Sequence, residues 1–293
     1  NKYLTDEGFL QFVDSCMYRP DRPNEPLFFE NEKHIANKFR PASIPPERPI
    51  SSEEAQKAVD KVAKHIEFIT GSKKNANILT QWLAHQIQHP GKKILWSPVI
   101  QGKQGTGKSF FGELLRLTLG SANVGTVFPT QVTSRFTGWA EGSCVNILEE
   151  LKLPNFNRHE AANALKPLIT DDSIEVEEKF IAKYKVKNVT NYICFTNFID
   201  SIPLDGDDRR WWVIFVNPDI EEFTPTYFES LYDDLRDYSG EIRQWLLDYT
   251  ITEEFRRMRV APMTDFKQQM IATEESNIKG LEEVRGLLEE GGD

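Results

Sequence analysis

The sequence predicts an α/β fold with a mainly parallel sheet at its centre. Short apolar runs of strand length recur at residues 94–100, 144–148, 191–195 and 211–216. Helical spacing of apolar residues separates some of these runs, and this pattern is typical of strands joined by crossover helices. The first run leads into a glycine-rich loop and a helix, whereas the chain after Pro218 is mainly helical and charged.

The first 92 residues are predicted to form an N-terminal segment and a helical collar. Residues 1–50 are rich in proline, asparagine and aromatic residues, which favours short elements and turns. Ser51 and Glu54 make a capping box at the start of a helix that Gly71 ends. A second apolar-periodic helix follows and stops before a Pro-Gly pair.

The composition is that of a globular protein with an acidic balance. Hydrophobic residues make up 39% and charged residues 27%, and the formal net charge is −10. No apolar stretch reaches membrane-spanning length and the first residues lack a signal-peptide pattern, so we expect a cytoplasmic protein without a membrane partner. Of Cys16, Cys144 and Cys194, the last two lie in apolar runs, which predicts buried, reduced thiols. Because the whole chain is acidic, a nucleic-acid contact requires a local basic patch.

A glycine-rich loop after the first apolar run matches the phosphate-binding pattern GxxxxGK[ST] in full. Its residues are Gly102, Lys103, Gln104, Gly105, Thr106, Gly107, Lys108 and Ser109. The glycines let backbone N–H groups turn inward around phosphates, Lys108 reaches the β and γ oxygens, and Ser109 ligates Mg²⁺ at a helix start. The alternative is a glycine-rich surface turn, which the flanking strand and helix disfavour. The loop therefore predicts ATP and Mg²⁺ as the ligands.

An acidic pair, Glu149 and Glu150, directly follows the apolar run that ends at Leu148. A phosphate-loop enzyme needs an acidic residue at the end of a neighbouring strand to hold Mg²⁺. We expect Glu149 to bind the metal through water and Glu150 to orient and activate the attacking water. The alternative is that the two acidic residues only mark the point where the strand leaves the core and have no catalytic role.

Two further polar sites flank the later strands. Asn197 ends an apolar strand and could contact the γ-phosphate or the lytic water; alternatively, it only opens a turn. Arg209 and Arg210 precede the last apolar run, and arginine stabilises charge on a transferring phosphoryl group, sometimes from a neighbouring subunit. The alternative for the arginines is a surface ion pair with Asp207 or Asp208.

The segment 174–187 alternates between apolar and charged residues in both of its halves, which predicts a β-hairpin. Lysines recur on one strand face, and an aromatic residue lies near the bend. The residues of this basic surface are Lys179, Phe180, Lys183, Lys185 and Lys187. Such a surface suits the backbone and bases of single-stranded DNA, and the alternative is a solvated hairpin face.

Taken in order, these sites resemble the superfamily 3 helicases of small viruses and phages. That family places a phosphate loop, an acidic strand end, a basic hairpin and an Asn-terminated strand in the same order over a similar length. The resemblance extends to the poxvirus-type primase-helicases and the C-terminal helicase domains of phage primase-polymerases, in which an arginine pair follows the Asn strand. The segment 261–271 also resembles the trailing part of such phage proteins. One departure is Asn146, which lies within the acidic strand.

The resemblance implies a P-loop core of modified AAA+ type over residues 93–217, between the N-terminal region of residues 1–92 and a helical segment over residues 218–293. It implies an ATP-dependent helicase motor that translocates on single-stranded DNA as a homo-hexameric ring. ATP would lie between subunits, with Arg209 or Arg210 completing the neighbour's site and the hairpin lining the channel. Because the chain carries no recognisable primase or polymerase residues, we expect a primase-polymerase domain elsewhere in the full-length chain, acting in the host cytoplasm.

Two other classes of protein stay open on the sequence alone. One is a monomeric P-loop kinase or nucleotide switch, although no NKxD motif and no acceptor-binding lid are recognisable. The other is an ATPase for nucleoprotein assembly or packaging that does not unwind DNA. The basic hairpin favours the helicase, and DNA-stimulated hydrolysis with strand displacement separates the two.

Overall fold

Short strands open the chain. The structure is a computed structural model, and it describes residues 3–6, 9–150, 158–198, 201–274 and 276. The first strands are β1 (Tyr3–Asp6), β2 (Phe9–Phe12), β3 (Ser15–Met17), β4 (Leu27–Glu30) and β5 (Lys33–Asn37). The first two pair with each other antiparallel, and the other three form a small mixed sheet in the order β3-β5-β4. The predicted short elements of residues 1–50 are therefore largely strands.

Two long helices follow, α1 (Glu53–Thr70) and α2 (Lys73–Gln88). The N-cap of α1 is Ser52, whose side chain accepts a hydrogen bond from the backbone N–H of Ala55 at 3.1 Å. The helix start predicted at Ser51 is therefore early by one residue. Gly71 ends α1 with a φ of 71°, as predicted.

A five-stranded, all-parallel sheet forms the centre of the protein, in the order β12-β6-β11-β8-β7. Its strands are β6 (Ser97–Gln101), β7 (Val124–Val127), β8 (Val145–Leu148), β11 (Asn191–Thr196) and β12 (Trp211–Phe215). Between β6 and β12 the described residues also form α3 (Phe110–Leu119), α4 (Pro129–Val132), α5 (Arg158–Thr170), two short 3-10 helices (Ser121–Asn123 and Gly138–Ala140), and an antiparallel hairpin of β9 (Ser173–Val176) and β10 (Tyr184–Lys187). The predicted α/β fold with a mainly parallel sheet is confirmed.

The C-terminal region is helical, as predicted. It contains α6 (Pro225–Asp237), α7 (Ser239–Asp248), α8 (Glu253–Arg257) and a further helix, α9, over residues 265–274. No helix among the described residues has both the length and the apolar character needed to cross a bilayer.

Apolar side chains cover both faces of the central sheet. On one face they pack with α1, α2, α3, α6 and α7, and on the other with α5 and the β9–β10 hairpin. Neighbouring residues of β6 divide between the two faces, with Ile100 in the first cluster and Val99 in the second. A sheet buried on both faces requires continuously apolar strands, and this explains why its strands could be predicted from apolar runs in the sequence. Cys144 and Cys194 are buried, as predicted.

Strand β7 was not predicted, because its Val-Gly-Thr-Val sequence is a weak strand signal. A β-carbon on Gly125 would collide with the side-chain oxygen of Asn146 on β8. The same Asn146 side chain is buried, donates to the carbonyl of Trp139 at 2.9 Å and accepts from the Ser143 hydroxyl at 2.8 Å. Asn146 therefore ties β8 to the loop that precedes it.

Candidate functional site

Parallel pairing brings three strand ends to one edge of the central sheet. Thr196 of β11 lies opposite Gln101 of β6, and Cys194 lies opposite Leu148 of β8. The backbone N–H of Gly102 donates to the carbonyl of Thr196 at 3.1 Å. The glycine-rich loop, the acidic pair and Asn197, which directly follow these strands, therefore meet at the carboxyl edge of the sheet.

The glycine-rich loop needs glycine at two positions. Gly105 and Gly107 have φ values of 82° and 81°, in the left-handed region that other residues rarely adopt. A β-carbon on Gly107 would also lie 2.7 Å from the ring atoms Cε1 of both His65 and Phe228. Ser109 forms the N-cap of α3, and its exposed side chain makes no capping bond, so its hydroxyl is available at the helix start.

Lys108 curls over the loop that carries it. Its ammonium donates to the carbonyls of Gly102 and Lys103, each at 2.7 Å, and lies 3.3 Å from the Thr106 hydroxyl. Burial lowers the pKa of Lys108, and the negative charge of Glu149 opposes that shift. The loop thus holds a cation inside its curve, beside backbone N–H groups at a helix start, and this arrangement attracts an anion.

The acidic pair lies across the cleft from the loop. The backbone N–H of Glu149 donates to the carbonyl of Val127 at 3.0 Å, which fixes the turn after β8. Burial raises the pKa of the Glu149 carboxyl; the charges of Arg116 and Lys108 oppose this shift and that of Glu150 adds to it. Glu150 is exposed and has a φ of 48°, an uncommon and strained conformation for a residue with a β-carbon.

These groups line one cleft with a volume of about 320 Å³. Of the predicted nucleotide residues, those that line the cleft are Gln104, Gly105, Thr106, Gly107, Lys108, Ser109, Glu149, Glu150 and Asn197. Asn197 is exposed there, and Gly102 lies at the base of the loop. No group of three or more His, Cys, Asp or Glu side chains in the described part of the chain forms a ready metal site. A Mg²⁺ ion would therefore draw on the Ser109 hydroxyl, the Glu149 carboxylate, water and ligand phosphates, as Mg²⁺ commonly does.

Three aromatic residues from outside the predicted motifs belong to the site. Phe228 and Tyr232 of α6 line the cleft, and His65 of α1 lies directly behind Gly107. Burial lowers the pKa of His65 to about 4, so the imidazole is neutral. Its Nε2 lies 3.4 Å from the Gly107 carbonyl and its Nδ1 lies 3.0 Å from the Tyr227 hydroxyl. Since a carbonyl can only accept, Nε2 carries the proton and Nδ1 accepts from Tyr227.

The arginine pair lies at the opposite edge of the sheet. Trp211 of β12 pairs with Ser97 of β6, and the carbonyl of Arg210 accepts from the Ser97 N–H at 2.8 Å. Arg209 and Arg210 thus precede a five-residue strand, whose far end, near the loop, is about 16 Å away. Neither arginine lines the cleft of its own chain.

A buried network holds the arginine loop. The Asp208 carboxylate accepts from the backbone N–H groups of Arg210 and Trp211 at 2.9 and 3.1 Å, and lies 3.6 Å from the Arg210 guanidinium. Lys267 of α9 is fully buried and donates to the Asp208 carbonyl at 2.6 Å. The ion pair with Asp208, which was the alternative considered for the arginines from the sequence, therefore exists for Arg210. Arg209 is exposed.

The predicted hairpin forms, and its lysines differ in their partners. Lys183 lies before β10 and pairs with Glu175 at 3.1 Å and Glu177 at 3.2 Å. Lys187 pairs with Asp21 of the N-terminal region at 3.2 Å. Lys185 is exposed, and no ion pair joins it to another described residue.

The bend of the hairpin presents an aromatic ring. Phe180 is 94% exposed with a φ of 66°, and the Lys179 ammonium lies 5.0 Å from its ring centre. A second exposed aromatic residue, Phe136, follows Arg135, which forms an ion pair with Glu177 at the base of the hairpin. The loop around Phe136, which the sequence did not single out, therefore extends the basic and aromatic surface.

Comparison with known proteins fits this architecture. Residues 100–210 match DUF5906, a family of unknown function. A DNA primase-polymerase of Nitratiruptor phage NrS-1 is 24% identical over 268 residues, which cover 90% of this chain and 36% of the phage protein. The chain thus spans about a third of the length of this curated relative.

Solved structures show the same fold. Two apo structures of the C-terminal region of NrS-1 align with TM-scores of 0.71 and 0.68, at 21% and 19% identity. Each alignment covers 88% of this chain and 60% of the solved chain. The resemblance to the C-terminal part of a phage primase-polymerase is confirmed, and so is the fold that it implied.

Proposed function

We propose that this chain is the ATP-hydrolysing motor of a phage replication protein, a DNA helicase of superfamily 3 type. The observation that carries the proposal is the cleft at the carboxyl edge, where the loop, Lys108, the acidic pair and Asn197 converge. Ligands of open α/β sheets bind in this position. The similarity to a phage DNA primase-polymerase supports a role in replication in the host cytoplasm, with the primase-polymerase activity in another part of the full-length protein.

In this proposal each side chain of the cleft has a separate task. Lys108 exchanges its two loop carbonyls for the β and γ phosphate oxygens, which are stronger partners because they are charged. Ser109 and Glu149 would hold Mg²⁺, which neutralises charge on the phosphates. Glu150 orients the attacking water and accepts its proton, and Asn197 supports that water or the γ-phosphate.

The position of the arginine pair requires that the proposed motor act as an oligomer. Because Arg209 and Arg210 lie at the far edge of the sheet, they can act on a phosphate only in the cleft of another copy. Asp208 engages Arg210, whereas Arg209 is exposed, so we assign the trans role to Arg209. An AAA+-type ring of six subunits places one edge of each subunit against the cleft of the next.

Single-stranded DNA is the proposed track. Phe180 and the lysines of the hairpin combine aromatic surface with positive charge in a chain whose net charge is −10. Base stacking and phosphate attraction bind single strands without sequence preference. In a ring, a basic bore and an acidic exterior would account for the net charge.

An ATPase for nucleoprotein assembly is the second candidate. The observation that favours it is the pairing of Lys183 and Lys187 with carboxylates of the same chain, which reduces the charge that the hairpin offers to DNA. Such an enzyme would use the same cleft without separating strands.

Four measurements on the full chain distinguish these functions. We expect ATP hydrolysis, stimulation by single-stranded DNA, ATP-dependent displacement of a labelled strand, and a mass six times that of the monomer with ATP and DNA. Hydrolysis and assembly without strand displacement would favour the assembly ATPase. A monomer that transfers phosphate to a small acceptor would show the kinase class instead.

A further inference from the structure

Two aromatic side chains of α6 line the cleft and have no role in the proposed phosphate chemistry. Phe228 and Tyr232 lie four residues apart on α6, and residues at this spacing share a helix face. Both rings are partly buried and line the cleft. Leu231 and Leu235 of the same helix are fully buried in the core, which fixes the rotation of α6 and the direction of its aromatic face.

Both rings border the loop where it enters α3. A β-carbon on Gly107 would lie 2.7 Å from Cε1 of Phe228, so the ring edge contacts the loop backbone. The Tyr232 ring lies 5.9 Å from that of Phe110, the first residue of α3. An anion bound at this helix start would leave the rest of its molecule beside these two rings.

Neighbouring aromatic side chains hold the Phe228 ring in place. Phe228 packs at 5.3 Å from Phe223 and 5.4 Å from Tyr227, measured between ring centres. Tyr227 in turn bonds to His65, behind the loop. A preorganised aromatic surface loses little conformational freedom when a flat ligand stacks on it.

We infer that Phe228 and Tyr232 form the base-binding side of the cleft and bind the nucleobase by stacking. The inference rests on the proposed function, because it takes the phosphates to lie in the loop. Among the described residues that line the cleft, the other polar side chains belong to the loop, the acidic pair and the ends of strands. Base selection therefore depends on ring area: adenine and guanine nucleotides bind similarly, and pyrimidine nucleotides bind more weakly.

Calorimetry with a ligand that lacks a base tests this inference. The affinities of ATP, GTP, CTP and inorganic tripolyphosphate, each with Mg²⁺, are compared between the full chain and its Phe228→Leu and Tyr232→Leu variants. We expect each variant to bind ATP and GTP about 5- to 150-fold more weakly, the range that loss of base–aromatic stacking produces. Tripolyphosphate should bind unchanged, which also shows that the variants are folded.

A matched variant and a conservative one complete the experiment. Phe68→Leu removes a ring from the same aromatic cluster, next to Phe223 and Tyr227 but outside the cleft, and should leave all four affinities unchanged. Phe228→Tyr keeps a stacking ring and should restore ATP binding.

Each contrary result has a distinct meaning. If Phe228→Leu and Tyr232→Leu bind ATP as tightly as the unmodified chain, the base-binding inference is wrong. It is also wrong if these variants lose affinity for tripolyphosphate to the same extent as for ATP. A strong preference for ATP over GTP in the unmodified chain would also overturn it. If the unmodified chain binds neither ATP nor tripolyphosphate, the proposed nucleotide cleft itself fails.

Discussion

The two edges of the central sheet use polar residues in different ways. At the carboxyl edge, Lys108, Glu149 and Glu150 face a cleft. At the amino edge, two buried polar pairs lie away from the cleft: the Asn191 amide donates to the Gln86 side chain at 2.9 Å, and the buried Lys267 ammonium donates to the Asp208 carbonyl at 2.6 Å. The loops that leave the carboxyl ends of the strands therefore form the candidate site, while buried contacts at the amino edge hold the loop of the arginine pair.

The largest expected effect is at the carboxyl edge. Lys108→Ala should abolish ATP hydrolysis, because the cation that contacts the transferring phosphoryl group is lost. Glu150→Gln should keep ATP binding and lower turnover about 10²- to 10⁴-fold, the usual contribution of a general base. Steady-state hydrolysis and ATP calorimetry measure both effects.

A carboxylate outside the cleft provides the control for Glu150. Glu254→Gln, at an exposed position on α8, should hydrolyse ATP at the normal rate. Normal turnover by Glu150→Gln would show that the base has been assigned to the wrong residue.

The amino edge should matter to catalysis only between subunits. Arg209→Ala should lower hydrolysis by about 10³-fold or more, as loss of a trans arginine does in related chemistry. Mixing Arg209→Ala subunits with Lys108→Ala subunits should restore part of the activity, because one of the mixed interfaces contains both an intact Lys108 and an intact Arg209. If mass measurement confirms mixed rings and no ratio restores activity, the trans assignment fails.

The stability of the amino edge can be tested apart from catalysis. Lys267→Met removes the buried cation beside the Asp208 carboxylate and the donor to the Asp208 carbonyl, while the Arg210 guanidinium stays 3.6 Å from the carboxylate. The variant should therefore lower the free energy of unfolding by about 3 kcal/mol, the lower end of the cost of breaking a buried ion pair. Thr264→Val removes two hydrogen bonds of one hydroxyl, which donates to the Val213 carbonyl at 2.7 Å and accepts from the Lys267 N–H at 3.1 Å, and should cost about 1–2 kcal/mol. Urea unfolding measures both. If the two variants lose the same free energy of unfolding, the buried pair of Lys267 and Asp208 contributes no more to stability than the Thr264 hydroxyl does.

The carboxyl edge could be predicted from the sequence because its signals are local. The loop motif and the acidic pair are contiguous stretches that adjoin apolar runs, and parallel pairing brings strand ends together. Strand β7 escaped prediction because Gly125, which makes room for Asn146, weakens its apolar pattern. The Phe228 and Tyr232 side chains follow helical spacing, which predicts a core face as readily as a cleft wall.

The amino edge and the hairpin depend on contacts between residues far apart in sequence. Nothing near Lys267 indicates that it is buried against Asp208, 59 residues earlier. The hairpin lysines were predicted from alternation alone, which gives the face of a strand but not the partners across a bend. Lys183 meets Glu175 and Glu177 only because the bend folds it back toward β9.

The smallest expected effect concerns the hairpin, which belongs to neither edge and tests whether DNA uses a third surface. Replacing both Lys183 and Lys185 by alanine should weaken binding of single-stranded DNA and unwinding, while basal hydrolysis stays near normal because the cleft is separate. Lys185→Ala alone should account for most of the loss, a few-fold in affinity, because Lys183 must first leave two carboxylates. Each phosphate contact removed should flatten the slope of log affinity against log salt by about 0.7.

Fluorescence anisotropy with strands of different sequence, at several salt concentrations, measures this loss. Lys57→Ala, an exposed lysine on α1 paired with Glu53, is the matched control and should change neither affinity nor slope. If the double variant binds DNA with the unmodified affinity and salt slope, the hairpin is a solvated face. DNA would then have to contact another surface, for which exposed Phe136 and its neighbour Arg135 are the next residues to replace.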